Sequence, residues 1–296
     1  MSNQSVLFDA PGPGARNRHR LYGLLTVLAA AALLAWIAWK LDSKGQLDAA
    51  KWSPFVHGSA WVNYLLLGLW HTILAAVIAI ACALVLGILL GLGRMSDRGW
   101  IRWPCAVFVE FFRAVPVLLM MYFTFQAYNL YAVFPPDLRP LAATVTGLTF
   151  YNGSVIAEVL RSGVASLPQG QREAGLSIGL RGPQVLRMIL LPQAFTAMMP
   201  VLVSQLVIVL KDSALGAAIT YAELLNWSQT LGSAFANTLP ALLVAAAMFV
   251  LMNYALTKAA DALERRLRRR GQAGNAEQML EEAGAGPDMR FNRETG

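Results

Sequence analysis

Residues 166–195, SLPQGQREAGLSIGLRGPQVLRMILLPQAF, are the longest polar interruption between the hydrophobic runs of this chain. They do not have the composition of a floppy loop. Ser166 with Gln169 three positions on has the spacing of a capping box, and Leu167-Pro168 suits a first helical turn. Gly179 is placed to stop that helix in a left-handed conformation. Gly182-Pro183 punctuates, a second helical run follows, and Pro192 is expected to bend or end it. The stretch is therefore expected to form two short helices around a turn, outside a bilayer and tethered at both ends.

The bilayer follows from composition. Of 296 residues, 56% are hydrophobic and 14% charged, with a mean hydropathy of +0.50. A soluble domain carries about a quarter charged residues, so this is an integral membrane protein. The formal net charge of +7 does not point to nucleic acid, because Arg and Lys gather between the hydrophobic runs and in the RRLRRR run near the C-terminus. Cys82 and Cys105 have no metal spacing, and His19, His57 and His71 form no ligand cluster with Asp or Glu. No GxxxxGK[ST] loop is present, so any nucleotide chemistry must come from a partner.

The apolar runs divide the chain. Residues 1–20 read as a polar, disordered cytoplasmic tail ending in RNRHR. A first span covers 21–41, enough for the roughly 30 Å hydrocarbon core at 1.5 Å per residue. It is long for a signal-peptide core, and Lys40-Leu41-Asp42 is no small-residue cleavage site, so it is expected to be retained. An outer segment to residue 64 holds Trp52, Trp61 and Tyr64, which suit the interface. Residues 65–262 form a core of five further spans at about 65–93, 104–131, 141–160, 198–219 and 239–259, with the polar loop 166–195 between the fourth and fifth spans. Residues 263–296 begin basic and are expected to be disordered from Gly271. With the N-terminus inside, the cytoplasmic flanks take Arg16, Arg18, Arg20, Arg94, Arg98, Arg102, Arg161, Arg172, Arg181, Arg187 and RRLRRR. The outer segments hold only Lys40, Lys44, Lys51 and Arg139. Six spans with both termini cytoplasmic satisfy the positive-inside rule. Apolar residues cover most faces of every span, so periodicity does not say which side faces lipid.

Glu173-Ala174-Gly175, then Gly179, then Ile189-x-Leu191-Pro192 resembles the EAA motif of bacterial ABC-importer permeases. In that family the short helix of this loop docks into a groove on the ATP-hydrolysing subunit and transmits its closure to the membrane helices. One position departs: Gly175 stands where the family usually has alanine, and glycine costs a helix roughly 0.5–1 kcal/mol relative to alanine. A second stretch, Glu110-Phe111-Phe112-Arg113-Ala114-Val115-Pro116, is similar to the EFFRGTP signature of polar amino-acid permeases. The whole pattern, with its extra N-terminal span and YNGSVIAEVLRSG, looks most like bacterial glutamate-uptake permeases. The resemblance implies an all-α polytopic bundle of six transmembrane helices with the type I, MetI-like importer fold. It also implies a second permease, homologous or identical, two cytoplasmic ABC ATPases holding ATP-Mg, an extracytoplasmic solute-binding protein, and residence in the bacterial plasma membrane, the cell inner membrane. This chain itself would bind no cofactor or metal and carry no catalytic residue.

Ionisable groups inside spans default to functional hypotheses because they are costly there. Glu110 and Arg113 are three apart on one helical face and are expected to neutralise each other, as are Glu158 and Arg161. Lys211-Asp212-Ser213 resembles the LKDTSL stretch of amino-acid permeases. An acidic amino acid needs cationic and hydrogen-bonding groups facing a water-filled cavity, and Lys211, Asp212, Ser213, Asn152 and Ser154 are the candidates; an internal ion pair with serine back-bonding is the structural alternative. A stand-alone secondary transporter or channel would need mid-membrane acids and broken helices in both halves. Only Glu158 and Asp212 are well placed, and such a protein has no use for a docking loop. A membrane enzyme would need a nucleophile–base or metal cluster, and none is visible.

Overall fold

The structure, a computed structural model, describes residues 13–284. Residues 1–12 and 285–296 of the two expected tails lie outside the described residues. What is described is helical, with no strand. The membrane helices are α1 (Pro13–Ser43), α2 (Gly58–Arg94), α3 (Gly99–Ala114), α4 (Val117–Leu130) and α5 (Arg139–Ala165). The short α6 (Gln169–Ser177) precedes α7 (Gly182–Ile219), α8 (Leu224–Ala234) and α9 (Thr238–Gly284).

Small residues bring the centre together. The buried face of α2 is Gly68, Thr72, Ala75, Ala76, Ala79, Ala83, Gly87 and Gly91, a three-to-four-residue repeat that lets a neighbouring backbone come close. The neighbour is α5. A methyl group added at Gly87 would stand 2.6 Å from Ile156 Cγ2 and 2.9 Å from the Gly153 carbonyl oxygen, so nothing larger than hydrogen fits. Helices α4 and α7 close around this pair, where Ala79, Met121, Ala143, Leu148, Val209 and Ile219 form one buried cluster. The helix at the centre, α5, is 27 residues long and carries Arg139, Glu158 and Arg161. These charges lie near its two ends, where Glu158 is paired with Arg94 and Arg161, and Arg139 donates to the Phe134 carbonyl.

The expected spans need four corrections. The third is not one rod: α3 and α4 meet at 104°, because Val115 precedes Pro116 and is held in extended conformation (φ −85°, ψ 129°). The fifth begins at Gly182 rather than near residue 198. At the N-terminus the helix starts at Pro13, inside the segment read as a disordered tail, with proline in the first turn where its missing N–H costs nothing. At the C-terminus α9 continues to Gly284, past Gly271. Its sequence there holds Ala, Glu, Gln, Met and Leu, strong helix formers that sustain a helix without an apolar period.

The two ends of the bundle are distinct. At one end the α2–α3 turn meets the 166–195 hairpin, with Asp97 Oδ2 3.5 Å from the Cβ position of Gly182. At the other, Asn237 Nδ2 donates to the Lys51 carbonyl at 2.8 Å, joining the outer segment to the start of α9.

Candidate functional site

The hairpin of residues 166–195 is built by its backbone more than by its side chains. The expected capping box at Ser166 does not form. Ser166 closes α5 instead, its hydroxyl donating to the Gly163 carbonyl at 2.8 Å, and Pro168 takes the N-cap place of α6. At the other end of α6, Gly179 has φ +86°. Gly179 N–H donates to Leu176 O at 3.0 Å and Leu180 N–H to Gly175 O at 3.2 Å. This pair of bonds is the Schellman termination, and it needs a left-handed residue where glycine has no Cβ to clash. The reversed chain re-enters a helix at Gly182, where Gln184 Oε1 accepts from Arg181 N–H at 2.9 Å.

Pro192 does not end that helix. The five residues Leu186–Leu190 form a π turn, whose wider ring absorbs the bond that proline cannot make. The second helix of the hairpin is thus the first part of α7, one continuous rod of 38 residues. Only the link between Ser166 and Pro168 separates the hairpin from α5. Both of its roots are fixed to central membrane helices.

Gly175 is buried against the start of α7. A methyl group there would stand 2.9 Å from both Ile189 Cδ1 and Val185 Cγ2. The departure from alanine therefore has a packing reason: a smaller residue lets α6 lie closer to α7. Glu173, Ala174, Gly179 and Pro192 are exposed, and Ile189 and Leu191 are half-buried. Two further residues that the sequence did not single out protrude from the same hairpin, Leu176 and Ile178, the latter 76% exposed. The outcome is a short, buttressed helix with an acidic residue and an apolar tip presented outward.

Beside the hairpin root lies a charge cluster. Glu158 on α5 receives Arg94 Nη1 at 2.6 Å and Arg161 Nη2 at 2.6 Å, with Arg113 Nη1 at 3.8 Å, while Arg94 Nη2 also reaches Glu110 at 2.9 Å. The Glu158–Arg161 pair is as expected from spacing. The Glu110–Arg113 pair is not there, because Arg94 from the end of α2 takes Glu110 and Arg113 turns toward Glu158. By sequence Arg94 is only a flanking cation. It is the bridge between three helices.

The candidates for a substrate path do not converge. Asn152 is fully buried, donating to Leu148 O at 2.8 Å and accepting from Gln205 Nε2 at 2.6 Å, which ties α5 to α7. Ser154 is fully buried and its hydroxyl has no partner. Ser213 back-bonds to Leu210 O at 2.7 Å. In this conformation none of the three faces open water. Lys211 is exposed and Asp212 half-buried, and they make no ion pair with each other.

A second polar network escaped the sequence reading because its members are scattered along the chain. Glu223, fully buried, caps α8 by accepting from Leu225 N–H at 2.9 Å and Asn226 N–H at 2.8 Å. Next to it Tyr221 donates to His71 O at 2.8 Å, and Thr72 Oγ1 accepts from Leu224 N–H at 3.1 Å. Burial pushes the Glu223 carboxyl up to about 7, although its two backbone hydrogen bonds pull the other way.

Known proteins are similar to this chain in sequence and in fold. Residues 83–269 match the family described as binding-protein-dependent transport system inner membrane component. The glutamate transport system permease protein GluD of Corynebacterium glutamicum is 50% identical over 228 residues, covering 77% of this chain and 84% of that protein. A probable glutamine ABC transporter permease of Bacillus subtilis is 35% identical over 196 residues, 65% of this chain and 88% of the relative. An amino acid ABC transporter solved with histidines superposes with a TM-score of 0.63 at 24% identity, over 68% of this chain and 93% of that one. The MetNI methionine ABC transporter in an inward-facing conformation gives 0.60 at 18% identity, over 70% and 97%.

Proposed function

We propose, from the premise that this chain belongs to the family of binding-protein-dependent transport system inner membrane components, that its substrate is L-glutamate and that residues 166–195 are the coupling lever. The chain is the membrane-spanning permease subunit of an ATP-driven amino-acid importer and is not itself an enzyme. The glutamate assignment is supported by the 50% identity to a glutamate transport permease. The lever is supported by one observation above the rest: the exposed tip at Leu176 and Ile178 stands on a hairpin whose second helix is continuous with α7.

The mechanism follows from that continuity. Two ATPase subunits, holding ATP-Mg that this chain does not bind, grip α6 and close. Because α7 passes through the hairpin without a joint, a displacement of α6 tilts the whole rod, roughly 55 Å long at 1.5 Å per residue. The short Ser166–Pro168 link carries the same displacement into α5. The bundle opens outward to accept the amino acid from a solute-binding protein, and hydrolysis reverses the tilt. A second permease, identical or homologous, completes the path. The protein resides in the bacterial inner membrane with both termini and the hairpin cytoplasmic, which the arginine distribution favours.

The test is uptake by the reconstituted complex. Glu173→Lys or Gly179→Asp should leave membrane insertion and complex purification intact while ATP hydrolysis no longer drives labelled glutamate uptake. Normal uptake in both variants would reject the lever. Competition by unlabelled amino acids tests the substrate separately; glutamine displacing label better than glutamate would overturn that assignment.

A further inference from the structure

We propose that the outer end of this protein, between α1 and the start of α9, holds the headgroup of an anionic phospholipid. An open cavity of ≈ 650 Å³ lies there, lined by Lys40, Leu41, Lys44 and Lys51 from α1 and the segment after it, and by Leu239 and Leu242 from the start of α9. Among the described residues none of these lysines has a carboxylate within ion-pair distance, and Asp42 and Asp48 of the same segment pair with none of them. Three like charges around one space repel one another unless an anion sits among them.

The position of the cations is itself informative. The segments assigned to the outer side carry four cations, Lys40, Lys44, Lys51 and Arg139, and three of them line this cavity. Topology disfavours cations there, so their concentration at one place calls for a local partner. The N–H groups that open α9 beside Thr238 add positive potential to the same space.

The apolar wall decides which anion. Leu41, Leu239 and Leu242 continue into the exposed Leu33, Leu34 and Ile37 of α1 and Leu243, Val250 and Leu251 of α9. None of the apolar stretch of α1 is buried against the rest of the described chain, so acyl chains flank it. A headgroup in the lysine pocket continues directly into chains along those leucines, which a free phosphate or a soluble acidic protein does not. The volume lies in the range of small-molecule sites and exceeds what a bare phosphate needs.

The experiment uses the full chain, reconstituted in bilayers of phosphatidylglycerol and phosphatidylcholine, then extracted and examined by native mass spectrometry for retained lipid. Lys40→Gln/Lys44→Gln/Lys51→Gln should lower retained phosphatidylglycerol about fivefold or more, and the corresponding triple arginine variant should keep it. Arg98→Gln/Arg102→Gln, exposed at the opposite end, should leave it unchanged. Wild-type retention in the triple glutamine variant would overturn the site, as would an equal loss of phosphatidylcholine. Unchanged lipid retention with loss of cross-linking to an added solute-binding protein would assign the lysines to a protein partner and overturn it too.

Discussion

Replacing Glu158 with glutamine keeps the shape of the side chain and removes the charge that three arginines share. Its two closest contacts are 2.6 Å each, to Arg94 and Arg161, and Arg113 is at 3.8 Å. The contributions are unequal. Arg94 is 10% exposed and Glu158 20%, so this pair is largely shielded, and deleting one partner of a fully buried pair costs about 3–5 kcal/mol. Arg161 and Arg113, at 40% and 38%, are wet enough to add only ~0–1 kcal/mol each. Discounting the first figure for partial exposure and for the hydrogen bonds glutamine retains leaves a loss of about 2–3 kcal/mol. Denaturant unfolding of the protein in lipid nanodiscs measures it. A double-mutant cycle with Arg94→Gln should return a coupling of about 1–3 kcal/mol. Glu110→Gln, whose carboxylate is 63% exposed, should cost under about 0.5 kcal/mol. Because Glu158 is two turns before the hairpin root, uptake in the assembled importer should fall further than ATP hydrolysis. A Glu158→Gln variant as stable as the wild type, or strict additivity with Arg94→Gln, would refute the claim that the cluster clamps α2, α3 and α5.

Gly175→Val should loosen the hairpin without disturbing the bundle. Its methyls collide with Val185 and Ile189, an overpacking of ~1–3 kcal/mol, so α6 amides should exchange about ten- to a hundredfold faster while those of α5 do not change. Lys211→Met should weaken uptake of acidic amino acids more than neutral ones, and equal loss would mark the lysine as structural. Glu223 gives a pH dependence of defined sign. Its carboxyl is raised by burial from 4.5 to about 7, so the folded protein holds the proton more tightly than the unfolded chain. That stability is complete below pH 4.5, is lost as the pH rises through about 7, and is absent above. Unfolding midpoints should therefore fall between about pH 5 and about pH 8, and Glu223→Gln should flatten the profile.

Much of the candidate site was legible because it depends on local chemistry. Gly179 stops α6 through its own φ and the two bonds that close its last turn, and Glu173 and Ala174 lie exposed on the helix it ends. The Ser166 box failed because the hydroxyl had a nearer acceptor on the preceding turn of α5. Arg94 and Gln205 are not legible for a different reason: their partners are 16 or more residues away, and no spacing in one chain announces such a contact. Glu223 bonds only two and three residues on, but the burial that makes it unusual comes from its distant neighbours around His71 and Thr72.

Taken alone, the sequence determined that the chain is a helical membrane protein, how many apolar segments it has, which flanks are cationic, and where a structured loop interrupts them. Those properties are sums over neighbouring residues, of hydropathy, charge and backbone preference. Only the tertiary structure decided which faces of uniformly apolar helices meet. In lipid no hydrophobic difference separates an inward leucine from an outward one, so the choice falls to shape, to glycine and alanine on α2 receiving α5 at Gly87 and Gly153. It also decided that Pro116 breaks a span through 104° while Pro192 does not interrupt one. The ring is the same in both; the difference is that the Leu186–Leu190 turn could widen to a π turn and keep its remaining hydrogen bonds, whereas Val115 was held extended.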